Sequence, residues 1–224
     1  EGPTTGVSSI NFLGNRSFRD RKLKSQLVTK ESKWWRFFSS DDSYDPDKLA
    51  YDREQIRKFY LDEGYADFQV VSAVAELTKD GNNFVITFVL DEGQVYEFGE
   101  SSIESSLENM DTDELLYLIE HRKGNQYKAT DIDITVDALT LAVGEEGYAS
   151  AEVRPRVRRK REEGIVDIVY SIDEGPRVYI EKININENTR TRDEVIRREL
   201  RVSEGDSYNK VLIDRSETKI KSLG

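Results

Sequence analysis

Two hydrophobic rhythms alternate along this chain. In the first, apolar and β-favouring residues stand close together or at every second position: Ile10 and Phe12, Val95 and Tyr96, Ile183 and Ile185. Each predicts a short opening strand. In the second, apolar residues return every three or four positions: Leu23 and Leu27; Leu115, Leu118 and Ile119; Val195, Ile196 and Leu200. Each of these predicts a helix with one apolar stripe that must face a sheet. The pairs Arg19-Asp20 and Arg192-Asp193 place acid in a first helical turn, where the helix dipole favours it. A second helix follows in each copy, carried by Leu49, Ile56, Phe59 and Tyr60, then by Ile132, Val136, Leu139 and Val143. Gly64 and Gly147 stand where glycine can turn the chain out of these helices. Hairpins come next. Tyr65 to Leu77 returns through Lys79-Asp80-Gly81-Asn82 into Phe84 to Leu90, and Tyr148 to Lys160 returns near Glu163-Gly164 into Ile165 to Ile172. The predicted module is β-α-α-β-β, an α+β unit with a three-stranded mixed sheet and two helices on one face.

The module repeats. Tyr44 and Gly64 recur as Tyr127 and Gly147, 83 residues on, and both glycines open a Gly-Tyr-Ala. Asp91-Glu92-Gly93 recurs as Asp173-Glu174-Gly175, and Val95-Tyr96 as Val178-Tyr179. Repetition at such a period marks an array of similar modules. The expected boundaries are residues 7–93, 94–175 and 176–224, the last a copy without its final hairpin, so the sequence reads as a piece of a longer protein. Linkers this short imply an extended rod with a hinge at Gly93 and at Gly175.

Composition narrows the functional classes. Hydrophobic residues make up 37% of the chain, enough for small cores, and no stretch approaches the roughly 20 apolar residues of a membrane-spanning helix. Lys and Arg number 33 against 44 Asp and Glu, and the net charge of -11 argues against general affinity for nucleic acid. With no cysteine there is neither disulfide nor thiolate chemistry. His121 is the only histidine and falls near the end of a predicted helix, where capping is the expected role. The repeated Asp-Glu-Gly lacks the ligand spacing of a calcium loop, and no nucleophile-base pair or phosphate-binding glycine loop is readable. The chain is expected to be no enzyme and to hold no metal or cofactor.

The β-α-α-β-β order, the Gly-Tyr-Ala after the second helix and the Asp-Glu-Gly after the last strand resemble POTRA domains. More narrowly, Trp34-Trp35 in a long interhelical loop, followed by Tyr60-Leu61-Asp62-Glu63-Gly64-Tyr65-Ala66, resembles the third such domain of outer-membrane β-barrel assembly proteins. The later copies then stand as the fourth and the first half of the fifth. That resemblance implies a non-enzymatic scaffold on the periplasmic side of the bacterial outer membrane. It implies binding of unfolded outer-membrane β-barrel proteins by β-augmentation, docking of accessory lipoproteins, and a membrane β-barrel following in the same polypeptide. A related translocation or two-partner secretion protein, or a structural spacer, remains open at this point.

The residues themselves also point to binding. If the first strand of each hairpin lies outermost, it leaves an edge of unpaired backbone groups that can accept another strand. In copy two that strand carries Arg154, Pro155, Arg156, Arg158, Arg159, Lys160 and Arg161, a guarded edge. In copy one it runs Phe68-Gln69-Val70-Val71-Ser72-Ala73-Val74-Ala75 with neither charge nor proline, and adjacent Val70-Val71 predicts a bulge. Phe68 to Ala75 are therefore the expected partner-binding residues. Trp34, Trp35, Arg36 and Phe37 form a second candidate, an interface loop whose aromatic residues would alternatively pack on their own module.

Overall fold

The computed structural model describes residues 6–31, 45–81, 83–108, 110–148, 150–175, 178–186 and 192–221. The chain opens with strand β1 (Gly6–Leu13), helix α1 (Asp20–Gln26) and helix α2 (Pro46–Asp62). A hairpin of β2 (Gln69–Leu77) and β3 (Asn83–Asp91) completes the first module. The sheet order is β1-β3-β2, with β1 parallel and β2 antiparallel to the central β3. Its core gathers Ile10, Phe12, Leu23, Ile56, Tyr60, Phe68, Ile86 and Phe88, with Tyr60 and Phe68 stacked at 4.0 Å.

The second module follows the same order: β4 (Glu97–Ser105), a 3₁₀ helix (Asp113–Leu118), α3 (Ala129–Glu145), β5 (Ala151–Lys160) and β6 (Ile165–Glu174), with sheet order β4-β6-β5. The third copy supplies α4 (Asp193–Glu199) and α5 (Lys210–Lys221). The architecture is α+β, as the sequence predicts.

By internal contacts the chain divides into two units. The first comprises Glu1–Gly99, Lys123–Thr130 and Arg159–Val166; the second comprises Glu100–Arg122, Asp131–Arg158 and Asp167–Gly224. This division does not fall at Gly93. The start of α3 and the tip of the β5–β6 hairpin belong with the first module. Within the second unit, α5 closes on α3 at Gly144, where a Cβ would lie 2.8 Å from Val211 Cγ2. Ion pairs Lys210–Asp137 and Arg215–Glu145 flank this contact.

The structure corrects several expected elements. Val95 and Tyr96 precede their strand, because Tyr96 spends its amide on Gly64 O at 2.9 Å and its carbonyl on the Tyr127 amide at 2.9 Å. Ile183 and Ile185 form no strand: in a complete module the first strand pairs with the last hairpin strand, and the third copy supplies none here. Tyr65 and Tyr148 open turns instead of strands. The Tyr65 carbonyl accepts from the Phe68 amide at 3.0 Å and the Tyr148 carbonyl from the Ala151 amide at 3.0 Å, which delays β2 to Gln69 and β5 to Ala151. The stripe of Leu115 and Leu118 lies on a 3₁₀ helix, not an α-helix. His121 follows that helix and is buried, its Nε2 at 2.9 Å from Tyr170 Oη, so it belongs to the core rather than to a cap.

Candidate functional site

Strand β2 lies at an edge of its sheet, as predicted, and among the described residues no strand pairs with its outer side. Its register against β3 slips between Val70 and Ser72, so Val71 is the extra residue of a bulge. The slip carries the inward phase from Val70 to Ala73 and Ala75, which pack on the core. Val71, Val74 and Leu77 are left 64%, 48% and 55% exposed. A bulge at an edge raises local twist and re-aims side chains; here Val71 and Val74 stand exposed beside open backbone groups, with Ser72 and Glu76 on the same outer side, while Leu77 keeps the inward phase of Ala73 and Ala75 at the strand end. Phe68 departs from this picture. It precedes the strand, is 4% exposed and stacks on Tyr60, so it anchors the core instead of meeting a partner. Gln69 to Ala75 remain on the edge strand.

The matching edge of the second sheet is β5, also outermost. Pro155 cannot donate a backbone hydrogen bond, and Arg154, Arg156 and Arg158 are exposed. Arg154 pairs with Glu152 at 2.6 Å and Arg156 with Glu104 at 2.7 Å. The far end of the basic run is not a free guard. Within the first unit, Arg161 Nε donates to Asp67 Oδ2 at 2.9 Å and Arg159 stands 3.7 Å from Asp67 Oδ1. The Tyr96 hydroxyl donates to the same carboxylate. Burial pushes the Asp67 carboxyl up, but hydrogen bonds from Tyr96 and Arg161 and the charges of both arginines outweigh it, holding its pKa below the ordinary value of 3.8.

Asp67 thus sits in the turn that feeds β2 and grips the β5–β6 tip. Further bonds join other segments of the first unit. Thr130 donates through its amide and hydroxyl to Asp62 at 2.9 and 2.7 Å, Gln126 Nε2 to Glu63 O at 2.6 Å, and the Glu97 amide to Gly164 O at 2.9 Å. Gly93, expected as a hinge, lies in the same unit as these bonds. Its φ of +68° and the 3.0 Å between its would-be Cβ and Asp67 Cβ explain why glycine stands there. Gly175 is required for a different reason: its amide donates to Ser150 O at 2.8 Å, and a Cβ would fall 2.3 Å from that oxygen. Trp34, Trp35, Arg36 and Phe37 lie outside the described residues.

Sequence reading missed the buried polar groups. Glu92, of the repeated Asp-Glu-Gly, accepts from the Ser17 amide at 3.0 Å, the Ser17 hydroxyl at 2.9 Å and the Tyr60 hydroxyl at 2.8 Å. Burial first, then the Glu92 bond and charge, push the Tyr60 phenol far above its usual range. Asp52 accepts from the amides of Val28 and Thr29 at 2.6 and 3.1 Å. Thr135 does the same for the Glu120 amide at 3.1 Å and Ser216 for the Arg201 amide at 2.8 Å. All three are the seventh residue of their helices, α2, α3 and α5. The signal was legible: Asp52 shares the buried stripe of Ile56 and Tyr60. No group of acidic, histidine or cysteine residues among the described residues could hold a metal ion.

Tandem β-α-α-β-β modules, each a three-stranded mixed sheet with helices, define a class of repeat, and comparison places the chain within it. The POTRA family model, described as surface antigen variable number repeat, matches residues 5–93, 96–175 and 178–223. The chain belongs to the POTRA family. It is 30% identical over 224 residues to the outer membrane protein assembly factor BamA of Neisseria meningitidis serogroup B, covering 100% of this chain and 28% of that protein. The BamA of Neorickettsia risticii is 31% identical over 224 residues, covering 100% and 30%. The chain thus spans less than a third of the length of these relatives. The crystal structure of Haemophilus influenzae BamA POTRA3-5 superposes with a TM-score of 0.77 at 25% identity, covering 98% of this chain and 86% of that one.

Proposed function

We propose that this chain is the periplasmic POTRA region of an outer-membrane β-barrel assembly factor and that β2 receives segments of unfolded outer-membrane proteins by β-augmentation. The observation that carries this reading is the β2 edge itself: outermost, bulged, free of charge from Gln69 to Ala75 and with Val71 and Val74 exposed. Backbone pairing is indifferent to client side chains, which suits a receptor for many unrelated sequences. Similarity to BamA over the whole chain supports the cellular setting. No described helix is long and apolar enough to cross a membrane. Docking of accessory lipoproteins and a membrane β-barrel in the same polypeptide belong to this proposal and rest on the resemblance to assembly factors.

The test is the affinity of a labelled peptide, copied from one strand of an outer-membrane β-barrel, for the chain and for its Ala73→Pro variant. Proline removes a donor from β2, so binding should drop at least tenfold while the circular dichroism spectrum is retained. Unchanged affinity in a folded variant would remove β2 as the acceptor.

A further inference from the structure

Every three-stranded sheet with a central β3 has two edges, and strand addition needs a reason to choose between them. In the first module the second edge is β1, a strand of eight residues whose ladder partner lies on one side only. Its middle is not open. The Ile10 amide donates to Glu31 Oε1 at 2.9 Å, and Lys24 Nζ holds the same carboxylate oxygen at 2.7 Å. An approaching strand would have to displace a charged acceptor with a neutral carbonyl, a poorer partner for the same N–H.

The third copy repeats the device at identical spacing. The Ile183 amide donates to Glu204 Oε1 at 3.0 Å, and Arg197 stands 3.5 Å from that oxygen. Arg197 Nη2 also donates to the Ile183 carbonyl at 2.9 Å. Carboxylate and cation together occupy the amide and the carbonyl of Ile183. The steps from isoleucine to cation to glutamate are the same in both copies: Ile10, Lys24, Glu31 and Ile183, Arg197, Glu204. The hydrogen bond from the Ile183 amide, followed by the charge of Arg197, holds the Glu204 carboxyl below its ordinary range. The second copy does not repeat these residue types; there the Glu100 amide, in β4, donates to Asp167 Oδ1 at 2.8 Å.

We propose that Glu31, locked by Lys24, is an edge plug that closes β1 to incoming strands and so directs strand addition in the first module to β2; the Glu204–Arg197 pair shows the same arrangement on the matching isoleucine of the third copy. This rests on the reading of β2 as the acceptor. Natural sheets commonly blunt one edge with a charged side chain. The distinctive feature here is that the plug grips a backbone donor directly, so its removal should expose an edge without disturbing the core. Glu31 acts as a positioning residue for the client: it touches no partner and decides where one can pair.

The experiment uses the 224-residue chain, isotopically labelled, with a peptide copied from one outer-membrane β-barrel strand. Amide exchange at Ile10 and peptide-induced shifts are measured for the wild type, Glu31→Ala and Glu31→Gln. Glu31→Ala should speed Ile10 exchange at least tenfold and add a second set of shifts at Ser8 to Phe12, with those at Gln69 to Leu77 unchanged. Glu31→Gln keeps an acceptor and should stay close to the wild type. Unchanged Ile10 exchange, or shifts confined to β2 in Glu31→Ala, overturns the plug and leaves strand addition at β2 intact. Absence of shifts in all three proteins overturns both readings.

Discussion

Asp52 shows what a single buried side chain can hold together. Its carboxylate satisfies two backbone amides beyond the end of α1, and Thr135 and Ser216 repeat the arrangement from the same helical position. Asp52→Ala should cost about 1–3 kcal/mol, the penalty of leaving buried donors unsatisfied, measured by urea denaturation. Asp67 is a different case, because its partners Arg159 and Arg161 are largely exposed. Its folded pKa is depressed, so its stabilisation is full above the unfolded value of 3.8 and fades as pH falls below that. Asp67→Asn should shift the amide resonances of Arg159 to Gly164 and remove this acid sensitivity, as should raising salt in the wild type. His121 obeys the same sign. Burial depresses its pKa against the opposing charge of Asp131, so the folded state loses stability as pH drops below 6.5, where the unfolded imidazole takes up its proton first. Stability measured across that range should flatten in His121→Gln. None of these residues carries a periodic signal except Asp52, and Asp67 meets Arg161 from 94 residues away in the sequence. Chemistry assembled by such long-range approach is invisible to a reading of local spacing.

At the level of elements, periodicity predicted most of what formed. The β-α-α-β-β order, helix starts at Arg19-Asp20 and Arg192-Asp193, the outermost position of each hairpin's first strand, and the bulge at Val70-Val71 were all readable. Errors gathered where backbone groups are spent outside the ladder. Tyr65 and Tyr148 have strand-like side chains, yet the positive φ of Gly64 and Gly147 leads into turns first. Ile183 and Ile185 have strand propensity without a ladder partner, and propensity alone does not make a strand. The approach of α5 to α3 supplies a direct test of packing at this scale. Gly144→Leu places a branched side chain where a Cβ already meets Val211, so it should destabilise the second unit by about 1–3 kcal/mol through overpacking. Hydrogen exchange should report the change in α3 and α5 while β1 to β3 keep their protection.

For the whole molecule, the repeated modules share one internal logic and differ at their edges. β1 is plugged by Glu31, β5 carries Pro155 and a basic run, and β2 is left bulged, apolar and open. A receptor that works through backbone pairing should be largely insensitive to ionic strength, whereas one that worked through the arginines of β5 would weaken steeply as salt screens them. The central claim, that β2 accepts client strands, is tested most directly by mapping amide shifts over the full chain as a barrel-strand peptide is added at low and at high salt. The account predicts saturable shifts concentrated at Gln69 to Leu77, with the same affinity in both conditions and none at Ala151 to Lys160. Shifts centred on β5 that vanish at high salt, or none anywhere at millimolar peptide, would contradict it.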